Sequence, residues 1–569
     1  MKTAAQLRGD LRDIDRRSYP AYKSLAGSFG FGGYILHIEH VQGDPFAAPS
    51  RLRVEVSRRA AAFPDRLCQS PVDRRALADC LLRRFDRQAG RFSFQAKGSG
   101  KSGVIAVSRC GQEVLERTAC EIADQAVHLR FEVGFPANGR TINAPELEKI
   151  LFEYLPVCVE QSLFYAKLPK GEAEEAVFLA EDQAYIRQEL ERRRLAAFVA
   201  DGAVLPRESG VSDRPMAGAV PFAAPETMAV ELDLPHRGRL RGMGVPEGIT
   251  LIAGGGYHGK STLLKALERG VYDHVAGDGR EYVITRSSAL KIRAEDGRKI
   301  TNTDVSLFIN HLPNGRDTVR FSTLDASGST SQAANIIEGI ESGSRVLLID
   351  EDTSAANLMA RDGLMRLAIA PDKEPITPFL ERVSDLYKKA GVSVILVVGS
   401  CGDYFHVADK VLQMDAYRAL DITDRTRALL EGRPGVDPAP DFRLPADRRT
   451  LPIAGAVQTR RNYRGSGTVQ ERLKVRRLGK TAFSLGGEDL DLRYVEQLVD
   501  GEQTQALACI LRYIRERWTG QQVNVREVVD QVERILETEG LAGICGERTV
   551  PSGLAMPRRQ EIFACLNRC

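Results

Sequence analysis

Residues 249–268 read ITLIAGGGYHGKSTLLKALE, and the expected fold follows from this stretch. An apolar run, residues 249–253, leads into a glycine-rich loop, and a helical pattern over residues 262–268 follows the loop. The loop fills every position of the pattern GxxxxGK[ST], in the strand, loop and helix context that a phosphate-binding loop requires. We therefore expect an α/β fold in which this loop holds the phosphates of a nucleotide.

The residue types of the loop suit phosphate binding. Glycines let backbone N–H groups close around a β-phosphate at a helix N-terminus. We expect Lys260, also a candidate catalytic residue, to reach the β- and γ-phosphates, and the hydroxyl of Ser261 to bind Mg²⁺. The predicted ATP-binding residues of the loop are Gly254, Gly255, Gly256, Tyr257, His258, Gly259, Lys260, Ser261 and Thr262.

A second apolar run, residues 346–349, ends in two carboxylates, Asp350 and Glu351. Phosphoryl transfer to water needs a metal clamp and a positioned nucleophile. We expect Asp350 to bind Mg²⁺ together with Ser261, and Glu351 to act as the catalytic residue that polarises the attacking water. An acidic strand end is often structural, but its occurrence with the phosphate-binding loop in one α/β region favours the functional interpretation.

Between these motifs, Ser327, Gly328, Ser329 and Thr330 precede a helical pattern. Alone, such a segment is typical of a helix N-cap with small neighbours. Its position ahead of residues 350–357 resembles the order of signature sequence, Walker B motif and D-loop in ABC-type ATPases. The resemblance implies that Ser327, Gly328 and Ser329 contact ATP held by the loop of a second subunit, so that a homodimer forms two composite sites for ATP and Mg²⁺.

More of the chain is similar to the family called predicted ATPases of the ABC class. The similar core segments are residues 251–264, 277–280, 292–298, 327–336 and 373–379, and the similar N-terminal segments are residues 19–22, 40–46 and 49–53. The end of the chain resembles the small C-terminal domain of that family. The resemblance implies ATP binding, a dimeric ABC core and, for part of the family, RNA binding by the appended domains.

The expected fold class is α/β, with an ABC-type P-loop NTPase core, an N-terminal α+β domain and a small, mainly helical, basic C-terminal domain. The N-terminal region mixes helical and strand-like patterns. A charged helical pattern over residues 172–198 and a Gly- and Pro-rich stretch separate it from the core. The predicted domains are residues 1–168 (N-terminal), 169–227 (charged helix and linker), 228–445 (ATPase core) and 446–569 (C-terminal).

Two residues of typical ABC ATPases are missing from the sequence. No glutamine lies between the loop helix and the signature segment, and Glu295 or Asp296 are the candidates to replace it. No histidine stands directly after the apolar run 392–398, and His406 lies further along the chain. We expect Ser400 or Asp403 to take over the switch role, or hydrolysis to be slow. The alternatives to an ATPase are a nucleotide-gated scaffold with little turnover and, less favoured, a P-loop kinase of a small substrate.

A basic segment near the C-terminus is a candidate nucleic-acid surface. Between residues 460 and 480 there are eight basic residues and one acidic residue, Glu471. Such clustering is typical of phosphate contact, and Tyr463 and Phe483 are candidates to stack on unpaired bases. The alternative is a solvated linker. The predicted nucleic-acid-binding residues, with RNA as the expected partner, are Arg460, Arg461, Arg464, Arg472, Lys474, Arg476, Arg477 and Lys480.

A second glycine-rich segment, residues 98–103, reads GSGKSG but lacks the first glycine of the phosphate-binding pattern, because Gln95 stands there. Its flanks, residues 91–95 and 104–107, are strand-like. We therefore expect a flexible hairpin loop, with Lys101 as a possible phosphate contact.

The overall composition is close to neutral. The 569 residues carry 79 basic and 76 acidic side chains, a formal charge of +3, so a nucleic-acid surface has to arise from local clustering. No apolar run approaches the roughly 18 residues of a membrane span, and the ten cysteines form no CxxC pair. We expect a cytoplasmic protein with no membrane partner.

Overall fold

The structure of this protein is a computed structural model that describes residues 1–362, 368–369, 373–436, 438–446, 449–455, 457–461, 468–547 and 549–569. These residues form two compact units. The first consists of Met1–Glu181 and Glu539–Met556, and the second of Asp182–Thr538 and Pro557–Cys569. The helix Glu172–Arg192 carries the chain from the first unit into the second.

The first unit is built on a seven-stranded sheet. In spatial order its strands are Lys2–Thr3, Gly27–Gly30, Ile35–His40, Ser50–Ser57, Ala126–Val133 and Ile105–Ala106, and Cys120–Ile122 also pairs with Ala126–Val133. Alternation along the strands buries one face, on which Val54 and Phe131 lie. The helix Pro71–Phe92 packs on this face, where the ring centroids of Phe85 and Phe131 are 5.2 Å apart.

Helices and short strands complete the first unit. The helices are Ala4–Asp13, Arg58–Ala61, Pro71–Phe92, Ala144–Lys149, Leu155–Leu163 and Ala542–Cys545, and the remaining strands are Glu113–Val114, Ala137–Asn138 and Thr141–Ile142. A π-helical turn, Ile150–Tyr154, joins two of the helices. The mixture of helices and a largely antiparallel sheet confirms the expected α+β character.

The segment 98–103 differs from its prediction as a flexible hairpin loop. Residues 91 and 92 end the helix Pro71–Phe92, so the strand expected on that side is absent from the described chain. The loop is tightly packed: the N–H of Lys101 donates to the carbonyl of Pro45 at 2.8 Å, and that of Ser99 to Ala137 at 2.7 Å. A Cβ on Gly103 would collide with the carbonyl oxygen of Ala96. The glycines therefore serve close packing.

The second unit is centred on a six-stranded sheet. Its strands, numbered in chain order, are β1 (Ile249–Ala253), β2 (Leu290–Ile292), β3 (Val346–Asp350), β4 (Ser393–Val397), β5 (Lys410–Asp415) and β6 (Arg418–Asp421). The spatial order is β2-β3-β4-β1-β5-β6, and all neighbours are parallel except β5 and β6. Strands β1, β3 and β4 are buried along their whole length, as expected when helices cover both faces. This sheet confirms the expected α/β core.

The helices of the second unit belong to the core and to the C-terminal segment. They are α1 (Lys260–Arg269), α2 (Gly328–Glu341), α3 (Phe379–Ala390), α4 (Thr423–Leu430), α5 (Gly501–Arg517), α6 (Val525–Glu539) and α7 (Arg559–Leu566), with a one-turn helix at Ala356–Met359. Helix α5 starts at Gly501. Asp500 caps α5 there, since its side chain accepts the N–H of Glu502 at 2.8 Å.

A second sheet has three strands that precede β1 along the chain and one, Val283–Thr285, that follows it. Its strands in spatial order are Ala229–Leu234, Gly238–Pro246, Leu195–Ala200 and Val283–Thr285. The helical pattern expected to run to residue 198 therefore ends earlier, at Arg192. Arg194 adopts a left-handed conformation (φ 54°), and the following six residues are all buried in the strand Leu195–Ala200. Tertiary burial overrides helix propensity at this point.

The remaining short strands of the second unit are Arg207–Ser209, Ser212–Pro215, Asp273–His274, Arg298–Thr303, Phe321–Ala326, Thr450–Pro452, Val457–Arg461, Thr468–Arg472, Val475–Arg477, Ala482–Leu485, Glu488–Asp491 and Gln522–Asn524. The C-terminal segment packs on the core through polar contacts: Gln497 Nε2 donates to the carbonyl of Glu268 at 3.1 Å, and Gln503 Nε2 to Tyr272 Oη at 3.0 Å. Within the described ranges, no helix is long and apolar enough to cross a membrane.

Candidate nucleotide-binding site

The glycine-rich loop leaves the C-terminal end of β1 and enters α1. Gly254 has a φ of 135° and Gly259, at the N-cap of α1, has a φ of 98°, and L side chains rarely adopt either angle. A Cβ on Gly254 would also collide with the carbonyl oxygen of Met414 in β5. Both glycines are therefore required by the backbone, and the free N–H groups of the first turn of α1 face the loop.

Lys260 is the first residue of α1, and its amine lies over the loop. Nζ donates to the carbonyl oxygens of Gly254 and Gly255, at 2.7 Å each. Ser261, the next residue, has an exposed side chain. The cationic group and the hydroxyl predicted to act on phosphates and Mg²⁺ are thus both available at the surface of the loop.

A hairpin turn between β5 and β6 packs against the loop, which the sequence did not indicate. The N–H of Ala416 donates to His258 Nδ1 at 2.9 Å, and the N–H of Tyr417 donates to the carbonyl of His258 at 3.2 Å. The ring of Tyr417 borders Gly259 and is 56% exposed, and Tyr257 is fully exposed. Both tyrosines have left-handed φ angles. A tyrosine in a two-residue turn carries no motif from which this contact could be predicted.

The two predicted acidic residues stand at the end of β3. Asp350 is almost fully buried, and its Oδ1 accepts the N–H of Asp352 at 3.2 Å. Glu351 is half-buried, and its Oε2 accepts the N–H groups of Gly399 at 2.5 Å and Ser400 at 3.0 Å. The Ser400 hydroxyl also donates to Glu351 Oε1. Strands β3, β4 and β1 are parallel neighbours, so their C-terminal ends lie at one edge of the sheet. The acidic pair, residues 399–400 and the glycine-rich loop stand at these ends and therefore share that edge.

These hydrogen bonds favour the ionised form of Glu351. Burial alone would raise its pKa. The hydroxyl of Ser400 and the N–H groups of Gly399, Ser400 and Cys401 outweigh burial and hold the pKa of Glu351 below its usual value. The structure thus brings Ser400, a candidate for the switch role, onto Glu351, whereas the exposed Asp403 lies in the following turn, Gly402–Val407.

The signature segment opens α2, with Ser327 at the N-cap. Its Oγ lies 3.3 Å from Ser329 Oγ and 3.0 Å from Thr330 Oγ1. The fully buried Gln332 connects α2 to the residues after β3: Nε2 donates to Ser354 Oγ at 3.0 Å, and Oε1 accepts the N–H of Ala355 at 2.7 Å. Among the hydrogen bonds of the described residues, none joins this segment to the glycine-rich loop of the same chain.

The two candidates to replace the missing glutamine lie in different surroundings. Glu295 is buried, and its carboxylate accepts hydrogen bonds from Arg568 and from Asn335 Nδ2, the latter at 3.0 Å. Asp296 lies next to the signature, since a Cβ on Gly328 would be 3.1 Å from its Oδ1. Among the described residues, no ion pair holds Asp296 in the way that Arg568 holds Glu295.

The predicted nucleic-acid-binding residues fall into three groups. Arg476 and Arg477, on the strand Val475–Arg477, are exposed, as are Lys474 and Lys480. Arg472 is also exposed but forms a two-point ion pair with Glu516, with Nη2 to Oε2 at 2.7 Å. The third group is Arg464, which lies outside the described residues, together with Arg460 and Arg461, whose backbone forms the strand Val457–Arg461 but whose side chains lie outside the description.

The expected stacking role of Phe483 is wrong, because this side chain is fully buried in the small sheet Val475–Arg477, Ala482–Leu485 and Glu488–Asp491. An alternating strand places every second residue inside, and Phe483 supplies the core of this sheet. Tyr463, the other candidate, lies outside the described residues.

Comparison with known proteins gives three family matches. The model for the N-terminal domain of ATPases of the ABC class matches residues 4–166, the ABC ATPase P-loop domain matches residues 169–440, and the MRB1590 C-terminal domain matches residues 474–569. A relative in Methanocaldococcus jannaschii, Uncharacterized protein MJ1628, is 28% identical over 288 residues. The match covers 48% of this chain and 63% of that relative, so the chain spans less than two thirds of its length.

The ABC-class N-terminal model matches the residues directly before those matched by the P-loop model. The glycine-rich loop lies within the residues that the P-loop model matches. Because these models follow one another along nearly the whole chain, the protein is a member of the family of ATPases of the ABC class.

Proposed function

We propose that this protein binds and hydrolyses ATP as a homodimer with two composite sites, and that the nucleotide cycle is coupled to the binding of RNA. The observation that carries the proposal is the meeting of the glycine-rich loop, Asp350 and Glu351 at one edge of the sheet. In open α/β sheets, ligands bind outside the carboxyl ends of the strands.

The side chains at this edge fit a nucleotide with a divalent cation. Lys260 would hold the phosphates, and the oxygens of Ser261 and Asp350 are ligands that Mg²⁺ accepts. Mg²⁺ would neutralise charge that develops on the phosphates. Within the described ranges, no group of three or more His, Cys, Asp and Glu side chains is placed to hold a metal, so phosphate and water oxygens would complete the coordination.

Glu351 is suited to orient the attacking water. Its lowered pKa keeps the carboxylate ionised at neutral pH, and a carboxylate accepts the hydrogen bonds of a water molecule. The exposed Ser327 makes hydrogen bonds only within its own segment among the described residues, which supports a role toward the partner subunit. The ten cysteines form no disulfide among the described residues, which is compatible with the cytoplasmic location that we propose.

The variant Glu351→Gln tests the catalytic assignment. It keeps the shape of the side chain but removes the charge that orients water. We expect steady-state phosphate release to fall by about 100-fold or more, with ATP affinity changed less than about threefold. ATP should then hold the variant as a dimer in size-exclusion chromatography. The exposed Glu431→Gln is the matched control, and undiminished turnover in Glu351→Gln would exclude this role.

RNA coupling is supported by the exposed basic residues Lys474, Arg476, Arg477 and Lys480. The match to the MRB1590 C-terminal domain begins at residue 474 and so includes them. Arg477 also lies against Gly501, at the N-terminus of α5. Clustered exposed cationic side chains favour phosphate contact.

Turnover with and without single-stranded RNA tests the coupling. We expect RNA to stimulate phosphate release, less so at high salt, because displaced counterions drive the association. The double variant Arg476→Ala/Arg477→Ala should lose the stimulation and keep the basal rate. Arg425→Ala/Arg433→Ala removes the same charge from another exposed region and should behave as wild type. Equal stimulation in both double variants would contradict the assignment.

A nucleotide-gated scaffold is the second candidate function. The three hydrogen bonds that Glu351 accepts from residues 399 and 400 compete with a water molecule for the carboxylate. If wild-type protein binds ATP and dimerises but releases no phosphate with or without RNA, the scaffold is the correct description. ATP-dependent phosphorylation of a metabolite, independent of dimer formation, would instead indicate a kinase.

A further inference from the structure

The hairpin turn between β5 and β6 has a strained backbone. Ala416 and Tyr417 form a two-residue turn, since Asp415 pairs with Arg418, and their φ angles are 44° and 69°. Turns with two positive φ angles favour asparagine and glycine, because an L side chain is disfavoured in this conformation. The sequence places a bulky tyrosine at the second position instead. A backbone outlier of this kind indicates a functional role when packing does not account for it.

The contacts of the turn do not require a tyrosine side chain. The N–H groups of Ala416 and Tyr417 tie the turn to the loop, since they donate to His258 Nδ1 at 2.9 Å and to the carbonyl oxygen of His258 at 3.2 Å. A glycine at position 417 would donate the same hydrogen bond from a relaxed backbone. Burial does not explain the ring either, because 56% of Tyr417 is exposed. A role toward a ligand is left to explain the tyrosine.

The ring of Tyr417 lies at the edge of the phosphate-binding loop. Its Cδ1 atom is 3.2 Å from the position that a Cβ on Gly259 would occupy. Gly259 is the N-cap of α1, whose first N–H groups would hold the phosphates of a nucleotide. Only the α-phosphate and the ribose separate the base of a nucleotide from its β-phosphate, so the base reaches the residues that border the loop. An aromatic ring at this place offers a flat apolar surface on which a base can stack.

Few other rings are available for this contact. In the described part of the second unit, the exposed aromatic side chains are Tyr257, Tyr417 and Tyr494. Tyr494 already carries the guanidinium carbon of Arg293, 4.5 Å from the centre of its ring. Tyr257 is fully exposed, so no packing fixes its ring, whereas the contact with Gly259 supports the ring of Tyr417. A side chain that is held in place before binding loses less entropy when the ligand arrives.

We propose that Tyr417 stacks on the base of the nucleotide at the glycine-rich loop and sets the base preference of the site. This inference rests on the proposed binding of a nucleotide at the loop and assigns the residue that contacts the base. Every base has a π-face, so stacking tolerates the exocyclic groups that distinguish adenine from guanine. The larger purine ring overlaps more of the tyrosine than a pyrimidine does. The site should therefore prefer purine nucleotides without choosing strongly between ATP and GTP.

Calorimetric titration of the full-length protein tests the stacking contact. The ligands are the Mg²⁺ complexes of the β,γ-imido analogue of ATP, which resists hydrolysis, and of tripolyphosphate, which has no base. Tyr417→Ala should bind the ATP analogue about tenfold more weakly than wild type, because it loses one stacked base. It should bind tripolyphosphate within about twofold of wild type. Tyr417→Phe keeps the ring and should bind both ligands as wild type does.

The β,γ-imido analogues of GTP and UTP test the base preference. Wild type should bind the ATP and GTP analogues within about threefold of each other and the UTP analogue about fivefold more weakly, because stacking strength sets the preference. The difference between purine and uracil should largely disappear in Tyr417→Ala. An undiminished difference in that variant would overturn the proposal.

Leu429→Ala is the control for the loss of an exposed apolar side chain, here one of α4, and should bind both ligands as wild type does. Equal affinity of wild type and Tyr417→Ala for the ATP analogue would overturn the proposal, and so would a loss found in Tyr257→Ala alone. An equal loss of tripolyphosphate binding in Tyr417→Ala would show that the ring shapes the loop and does not contact the base. If wild type binds neither ligand, the proposed function is itself wrong, and the inference fails with it.

Discussion

Ser400 controls the proton affinity of Glu351. Its hydroxyl is the strongest of the donors that lower the pKa of this half-buried carboxylate, and burial acts in the opposite direction. In Ser400→Ala the pKa of Glu351 should therefore rise. Since the ionised form is the one that orients water, we expect the acidic limb of the pH profile of kcat to move to higher pH.

Ser400→Thr keeps the hydroxyl and serves as the control for this pH shift. Its acidic limb should stay close to that of wild type, whereas the alkaline side of the profile should be alike in all three proteins. If Ser400→Ala and wild type share one acidic limb, then Glu351 is not the group whose ionisation limits turnover.

At the level of single residues, the sequence predicts those side chains whose chemistry is part of a motif. Lys260, Asp350 and Glu351 are recognisable because phosphate and metal binding demand their types at their spacing. The contacts of Ala416 and Tyr417 with the loop are not recognisable, because they depend on a hairpin that arrives from far along the chain. The predicted stacking role of Phe483 is wrong because an aromatic residue type does not reveal whether the side chain faces solvent or the core.

Helix α2 is held in place by a buried ion cluster at its side. Arg298 pairs with Glu338 and Asn335 of α2, and Arg568, just after α7, pairs with Glu295. The side chains of Arg568 and Glu295 are 10% and 5% exposed. Burial alone would raise the pKa of Glu295, but the charges of Arg568 and Arg298 lower it below its usual value.

The variant Arg568→Met should therefore destabilise the protein in a pH-dependent way. Removal of one member of a buried ion pair leaves an uncompensated charge, and we expect a loss of about 3 kcal/mol in the free energy of unfolding at pH 7.5. The stabilising effect of the lowered pKa exists above the unfolded pKa of about 4.3 and is lost below it. The variant's deficit should therefore shrink between pH 7.5 and pH 3.5, as thermal unfolding at both values would show.

Arg425→Met, at an exposed position of α4, controls for the loss of an arginine and should shift the unfolding temperature little at either pH. A deficit in Arg568→Met that is equal at both pH values would show that lost packing, rather than the charge of Glu295, explains the change.

At the level of elements, long periodic patterns were predictable and their ends were not. Strands β1, β3 and β4 lie within one or two residues of their predicted positions, since a fully buried parallel strand has an uninterrupted apolar run. The sequence pattern predicts residues 195–198, which belong to the strand Leu195–Ala200, as the end of a charged helix. Its alanines suit both states, and only its pairing with two neighbouring strands selects the extended one.

Composite sites predict that two inactive variants complement each other in the dimer. Lys260→Ala damages the loop of its own chain, and Ser327→Glu places a negative charge in the signature offered to the partner. A mixed dimer contains one site with an intact loop and an intact signature. We expect each variant alone to have little turnover, and an equal mixture to recover up to about a quarter of the wild-type rate.

A mixture of Lys260→Ala with Glu351→Gln is the matched control. Both changes affect the same half of a composite site, so every site of the mixed dimer carries one of them and no activity should return. No recovery in the first mixture would show that Ser327 acts within its own chain. Recovery in the control would show that Lys260 and Glu351 of one chain do not serve the same site.

The position of β1 in the middle of the core sheet has a consequence for biosynthesis. Ile249, at its start, is hydrogen-bonded to Asp409, which is 160 residues further along the chain. A ribosome adds roughly 5–20 residues per second, so the nascent loop waits roughly 8–30 s before both strands that flank β1 exist. ATP therefore finds no finished loop to bind until β5 has emerged.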